Sequence, residues 1–318
     1  MGKVDLIQKH TFWLEPVPPF RLDLTVWTLR RRPDNIVDRW DGHNYRRLLA
    51  LVDQPVEVTV AQVGTPKHPR LRVTIRGAEL NAAMQKTITT ALNRLLGLQL
   101  DLAPFYRFAR NYPSLHDLAR QFRGMKPPRF TSAFEGIINA IACQQLTLTV
   151  GIRLLNQIAA TYGATMRVDG TTVHAFPQPR ELASTSPTGL RKIGLSRHKS
   201  RAMIELAQSV VAGRLDPETI ANLPDQEALE RLQNVRGVGR WTAQYVLLRG
   251  LGRTHLFPGD DVGARNNLRA WLNLAEPLDY AGVQRTLEPW KGYGGLIYFH
   301  LLLGRLAQAS HIRPNGGP

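Results

Sequence analysis

Between about residues 10 and 77, apolar and polar positions alternate. Leu22, Leu24 and Val26 are interleaved with Arg21, Asp23 and Thr25, and the series Val56, Val58, Val60 and Leu71, Val73, Ile75 repeat the pattern. A period of two predicts half-buried strands of an antiparallel sheet. From about 79 to 96, Leu80, Met84, Ile88, Leu92 and Leu95 fall three or four residues apart, which predicts a helix. Beyond about 100 the period stays near 3.6, in amphipathic segments near 114–122, 131–143, 147–162, 198–212, 226–233, 240–249, 261–273 and 292–308. Pro127-Pro128, Pro177, Pro179, Pro187, Pro224 and Pro258-Gly259 break these segments apart. The expected fold class is α+β. A sheet-plus-helix unit spans about 1–105, an all-α region spans 106–312, and a short disordered tail spans 313–318.

Charge narrows the class of partner. The chain has 318 residues, 41 Lys+Arg against 25 Asp+Glu, and a formal net charge of +16. That excess favours a polyanion, nucleic acid before an acidic membrane surface. The 43% apolar content is that of a globular protein. No window approaches the ~20 apolar residues of a membrane span, and the amino terminus lacks a signal-peptide core. The expected setting is cytoplasmic, nucleoid-associated in a prokaryote, with no membrane partner. Cys143 is the one cysteine, so a disulfide framework, a Cys-rich zinc site and an iron–sulfur cluster are excluded. The nine histidines show no zinc-ligand spacing.

The candidate chemistry concentrates after residue 229. In Leu229–Ala243, LERLQNVRGVGRWTA, a helix runs into Gly237-Val238-Gly239 and a second helix follows at once. Two glycines around a small apolar residue permit a tight turn, and the free amides of the next helix favour an anion such as a DNA phosphate. Arg236 and Arg240 flank the turn; a plain helix–turn–helix corner is the alternative reading. Between Glu230 and Glu276 the only carboxylates are Asp260 and Asp261, set among seven arginines. An acid in a basic, DNA-facing segment needs a reason, and capping the helix that follows Pro258-Gly259 would supply one. The run Gly194–Arg201, GLSRHKSR, reads as a capped helix start with a solvated basic face or a second phosphate contact.

These motifs together, LQNVRGVGRWTAQY, then FPGDD, with FEGIINAIACQQLT far upstream, resemble the helix-hairpin-helix (HhH-GPD) DNA glycosylase superfamily and within it the AlkA-type 3-methyladenine DNA glycosylase II family. The resemblance implies a TATA-binding-protein-like amino-terminal domain. It also implies two helical subdomains with the active-site cleft between them. It makes Asp261 the catalytic carboxylate, with Asp260 its neighbour and candidate cap. Bifunctional relatives carry a Schiff-base lysine where this chain has Trp241, so the resemblance implies a monofunctional enzyme.

Trp241 and Tyr245, one helical turn apart, are implied to line the base pocket with Phe299, which stands where AlkA has tryptophan; buried core aromatics are the alternative. Gly237, Val238, Gly239 and Arg240 would contact the DNA backbone. Gln145 or Leu146 would fill the gap left by a flipped nucleotide. A structural Na+ or K+ on the carbonyls of Gln233, Val235 and Gly237 is the one cofactor the resemblance suggests. The implied function is excision of alkylated purines, 3-methyladenine and 7-methylguanine, from double-stranded DNA by a monomer. A non-catalytic damage-binding protein and a glycosylase for deaminated or oxidised bases are the other readings.

Overall fold

The computed structural model describes residues 9–51 and 54–315. Strands β1 (Lys9–Leu14), β2 (Arg39–Trp40), β3 (Asn44–Ala50), β4 (Pro55–Gln62) and β5 (Leu71–Arg76) form one antiparallel sheet in the order β1-β5-β4-β3-β2. The alternating valines account for it: Val58 opposes Ile75 and Val60 opposes Val73, and all four are buried. The alternation at 22–26, by contrast, is not a strand. Leu22–Arg30 forms helix α1, in which Leu22, Leu24–Leu29 and Arg30 are all buried. A helix enclosed on every side has no polar stripe, so its period is invisible in the sequence. Helix α2 (Ala82–Leu96) is capped by the Asn81 side chain and ends at Gly97, whose φ of 59° is left-handed.

The remaining chain is mainly helical. Helices α3 (Ala103–Ala109), α4 (Pro113–Gln121), α5 (Ala133–Cys143) and α6 (Leu148–Tyr162) come first. A small hairpin, β6 (Thr165–Val168) and β7 (Thr171–His174), then interrupts the expected run of helices. It turns at Asp169 and Gly170, both with positive φ, as a two-residue hairpin turn requires. Helices α7 (Pro179–Ala183), α8 (Pro187–Lys192), α9 (Arg197–Val211), α10 (Asp225–Gln233), α11 (Arg240–Arg249), α12 (Val262–Trp271), α13 (Tyr280–Leu287) and α14 (Gly294–Gln308) complete the chain. Among the described residues no helix is long and apolar enough to cross a membrane.

Helix α1 joins two cores. Its Leu22, Val26 and Leu29 pack with the sheet, α2, α5 and α11, whereas its Leu24 and Trp27 pack with α3, α4 and α14. A buried ion cluster adds a second tie, because Arg47 on β3 donates to Asp38 at 2.7 Å and to both Glu135 oxygens on α5 at 2.7 and 2.8 Å. Of the tail expected from 313, Asn315 donates to the Gln121 carbonyl at 2.7 Å and accepts from Arg21 at 2.6 Å. Residues 316–318 lie outside the described residues.

Candidate active site

Asp261 is the N-cap of α12, and its two oxygens face different neighbours. Oδ1 accepts from the Ala264 amide at 2.9 Å. Oδ2 turns the other way and accepts long hydrogen bonds from Trp241 Nε1 at 3.3 Å and the Tyr298 hydroxyl at 3.4 Å. Contacts of this length orient a carboxylate while leaving its lone pairs available. Asp261 and Trp241 are both partly exposed. Burial and the nearby Asp261 charge push the Tyr298 phenol well above its ordinary pKa, which keeps it a proton donor.

Asp260 does not cap the helix. It forms a two-point ion pair with Arg240, Nε to Oδ2 at 2.6 Å and Nη2 to Oδ1 at 3.1 Å. The same guanidinium lies 3.9 Å from the Tyr280 ring centroid. Arg240 is therefore engaged before any phosphate arrives. Asp261 takes both the capping position and the position facing the aromatic rings.

The rings form a layer. Trp241 and Tyr245 stand 5.5 Å apart on α11, and Phe130 adjoins Tyr245 at 6.3 Å. Tyr245 is 3% exposed and Phe299 is 0% exposed, in the core that α14 shares with α1. The α14 ring that reaches Asp261 is Tyr298, one residue before the expected Phe299.

Beneath this layer lie two buried arginines that composition alone would place on the surface. Arg31, 7% exposed, donates from Nη1 to the Tyr245 hydroxyl at 2.8 Å and from Nη2 to Asn139 Oδ1 on α5 at 2.6 Å. Arg249, 1% exposed, donates to the Thr28 carbonyl at 2.8 Å and sits 5.6 Å from Tyr245, 5.6 Å from Phe130 and 5.3 Å from Phe299. Burial raises the Tyr245 pKa and the two guanidinium charges oppose that rise.

The hairpin between α10 and α11 turns at Gly237, whose φ is 79°. A Cβ there would come within 2.8 Å of Ala202 Cβ, whereas one at Gly239 would meet nothing within 4 Å. Gly239 is the N-cap of α11 with no side chain bonded to the helix start, and Val238 is buried. The amide end is thus open to an anion from outside. Of the expected cation carbonyls, Gly237 O accepts from Gln144 at 2.7 Å and Val235 O from the Val238 amide at 3.0 Å. Among the described residues no group of three or more His, Cys, Asp or Glu could hold a metal ion.

The segment between α5 and α6 stands beside the hairpin. Gln144 also donates to Thr242 Oγ1 at 2.8 Å. Lys199, from the basic run 194–201, is half-buried and donates to the carbonyls of Ala142 at 3.1 Å and Gln144 at 2.7 Å. Burial lowers its pKa. Gln145, at a left-handed φ of 54°, and Leu146, 42% exposed, project from this anchored turn. The sequence flagged the projecting pair; the anchors Gln144 and Lys199 carried no signal of their own.

The chain is similar to known proteins over most of its length. Residues 138–292 match the model of the HhH-GPD superfamily base excision DNA repair protein, a span that holds the hairpin, Trp241 and Asp261. A DNA-3-methyladenine glycosylase of Bacillus subtilis is 29% identical over 217 residues, 68% of this chain and 72% of that protein. DNA-3-methyladenine glycosylase 2 of Escherichia coli is 30% identical over 179 residues, 56% of this chain and 60% of that protein. The solved 3-methyladenine DNA-glycosylase of Archaeoglobus fulgidus is 26% identical and superposes with a TM-score of 0.80 over 95% of this chain and 100% of its own. Residues 138–292, with the hairpin, are thus the part of the chain that matches the HhH-GPD superfamily base excision DNA repair protein, and the sheet and helical region around them share the fold of a solved 3-methyladenine DNA-glycosylase.

Proposed function

We propose that the chain is a monofunctional DNA glycosylase that hydrolyses the N-glycosidic bond of alkylated purines in double-stranded DNA and leaves an abasic site. The observation that carries this reading is the split carboxylate of Asp261: one oxygen fixes the helix start and the other faces Trp241 and Tyr298. The names of the relatives support the same chemistry, since the Bacillus, Escherichia and Archaeoglobus proteins are all 3-methyladenine glycosylases.

A glycosidase ordinarily uses one acid to protonate the leaving group and one carboxylate at the sugar. An N3- or N7-alkylated purine is already cationic and departs neutral, so the acid is dispensable. One ionised carboxylate then stabilises the oxocarbenium-like transition state and orients or deprotonates water. Trp241, half-buried beside Asp261, offers the electron-rich face on which an extruded cationic base would stack, worth ~0.5–2 kcal/mol, and the buried Tyr245 ring packs against it. Gln145 or Leu146 would enter the duplex from the turn anchored by Gln144 and Lys199. The Gly239 end of α11 would hold a phosphate. A monomer working on chromosomal DNA in the cytoplasm or nucleoid is the matching setting.

The test is release of 3-methyladenine and 7-methylguanine from methylated DNA by the protein and by Asp261→Asn. Asparagine keeps the cap but not the charge. Loss of release by a factor of about 10² or more, with DNA binding retained, is expected; near-normal release removes Asp261 from this role. Borohydride should trap no enzyme–DNA adduct, because Trp241 offers no amine.

A further inference from the structure

We propose that Tyr280 is a positioning residue for the chemical step, holding the turn that carries Asp261 against the helix that carries Trp241. This inference rests on the glycosylase reading above and names the side chain that sets the spacing of those two groups.

Asp261 and Trp241 approach each other from separate elements. Trp241 stands in the first turn of α11, and Asp261 closes the turn Pro258–Asp261, its amide donating to the Pro258 carbonyl at 2.9 Å. The bond between Trp241 Nε1 and Asp261 Oδ2, at 3.3 Å, is too long to fix that spacing unaided. Tyr280, the first residue of α13, touches both sides. Its ring edge lies on the Gly259 backbone, where an added Cβ would stand 2.9 Å from Cδ2 and 3.0 Å from Cε2 of the ring. Its hydroxyl accepts from Gln244 Nε2 on α11 at 3.1 Å. Its face carries the Arg240 guanidinium of α11, 3.9 Å from the ring centroid, and that guanidinium holds Asp260 in the same turn.

The glycine under the ring is there for space. Unlike Gly237, Gly259 does not have a left-handed φ, so its conformation is open to any residue. A side chain at that position would collide with Tyr280, and the turn would have to move off the ring. Nor does α13 depend on Tyr280 for its own placement, since Asp279 caps it and Val283 and Leu287 anchor it in the core. The Tyr280 side chain, itself half-buried, is thus spent on the junction between the turn and α11. Without the ring, the turn is free to shift by a fraction of its contact distance, and Asp261 Oδ2 shifts with it. A displacement of about 1 Å at a reacting group can cost ~10²-fold in rate while substrate binding is kept.

The experiment measures single-turnover release of 7-methylguanine from duplex DNA by the unaltered protein, Tyr280→Ala, Tyr280→Phe, Gly259→Ala and the double variant Gly259→Ala/Tyr280→Ala. The rate at saturating enzyme and the half-saturating concentration are read separately. Tyr280→Ala should lower the saturated rate about 10-fold and leave half-saturation within about threefold. Tyr280→Phe keeps the ring edge on Gly259 and should recover most of the rate. Gly259→Ala should slow release as well, because its methyl group pushes the turn off the ring. The double variant should be no slower than Tyr280→Ala, because the ring that the methyl group would meet is gone. A merely structural role lowers the melting temperature and leaves the saturated rate of the folded protein unchanged. A Tyr280→Ala rate within about twofold of the unaltered protein therefore overturns the inference, as does an equal loss in Tyr280→Phe or two single losses that multiply in the double variant. If Tyr280→Ala misfolds by circular dichroism, Gly259→Ala decides, and an unchanged saturated rate there overturns the inference. An unaltered protein that releases no methylated purine overturns the glycosylase reading too, whereas release indifferent to Tyr280 overturns this inference alone.

Discussion

The side-chain amide of Gln144 donates to the carbonyl oxygen of Gly237 at 2.7 Å, joining the turn that follows α5 to the hairpin across 93 residues of sequence. The same nitrogen reaches Thr242 Oγ1. Gln144→Ala leaves both acceptors without this donor and should cost ~1–3 kcal/mol of stability. It should also lower base release by more than the stability loss explains, because Gln145 and Leu146 then ride on a turn that has lost its link to the hairpin and is tied through Lys199 alone. Urea unfolding and single-turnover excision on the same preparation check both parts.

The two hairpin glycines should behave differently. Gly237→Ala forces a left-handed φ on a residue with a Cβ and brings that atom to 2.8 Å from Ala202, so the melting temperature should drop by several degrees. Gly239→Ala meets open space at an ordinary φ of −92° and should melt as the unaltered protein does. It should nonetheless weaken DNA binding, because the methyl group intrudes where a phosphate would approach the amides. Equal melting losses in the two variants would contradict the role assigned to Gly239.

Asp260→Asn should tighten DNA binding rather than weaken it. Its carboxylate occupies the Arg240 guanidinium on the exposed face of the hairpin. Neutralising it frees one cation for the backbone, and each phosphate neutralised adds ~0.9 to the slope of log K against log salt. A salt titration of binding should steepen by about that amount, and the Asp261 contacts should persist.

His300 should make the fold acid-sensitive. Complete burial lowers its pKa to about 4, and Nδ1 donates to the Leu296 carbonyl at 2.7 Å while Nε2 has no partner. The folded state therefore keeps the ring neutral. The unfolded chain binds the proton near pH 6.5, so this contribution is complete above pH 6.5 and is lost as pH falls toward 4, up to ~3 kcal/mol in all. His300→Leu should flatten the denaturation midpoint across that window without changing the decline caused by other groups.

The legible parts of the molecule were those where one face meets water. Val56, Val58 and Val60 alternate because β4 lies in a sheet, and α2, α6 and α9 show a 3.6 period because each has a wet side. Helix α1 has no such side and read as a strand. The small hairpin has its own local signal, Asp169-Gly170 between Val168 and Thr171, in a stretch of otherwise helical period. At the site, Asp261 and Trp241 were readable because motif spacing marks them. Arg31 and Arg249 were not, since their contacts are with residues far along the chain, and nothing local separates a buried arginine from an exposed one.

Helix α1 belongs by sequence to the sheet unit, yet it supplies Arg31 to the Tyr245 hydroxyl and the Thr28 carbonyl to Arg249. Severing the chain near residue 105 would not liberate a self-sufficient catalytic half. The remaining helices would face water with an unroofed apolar trench and two stranded guanidiniums, so heating should dismantle the intact molecule in one cooperative step, not peel away its front portion first.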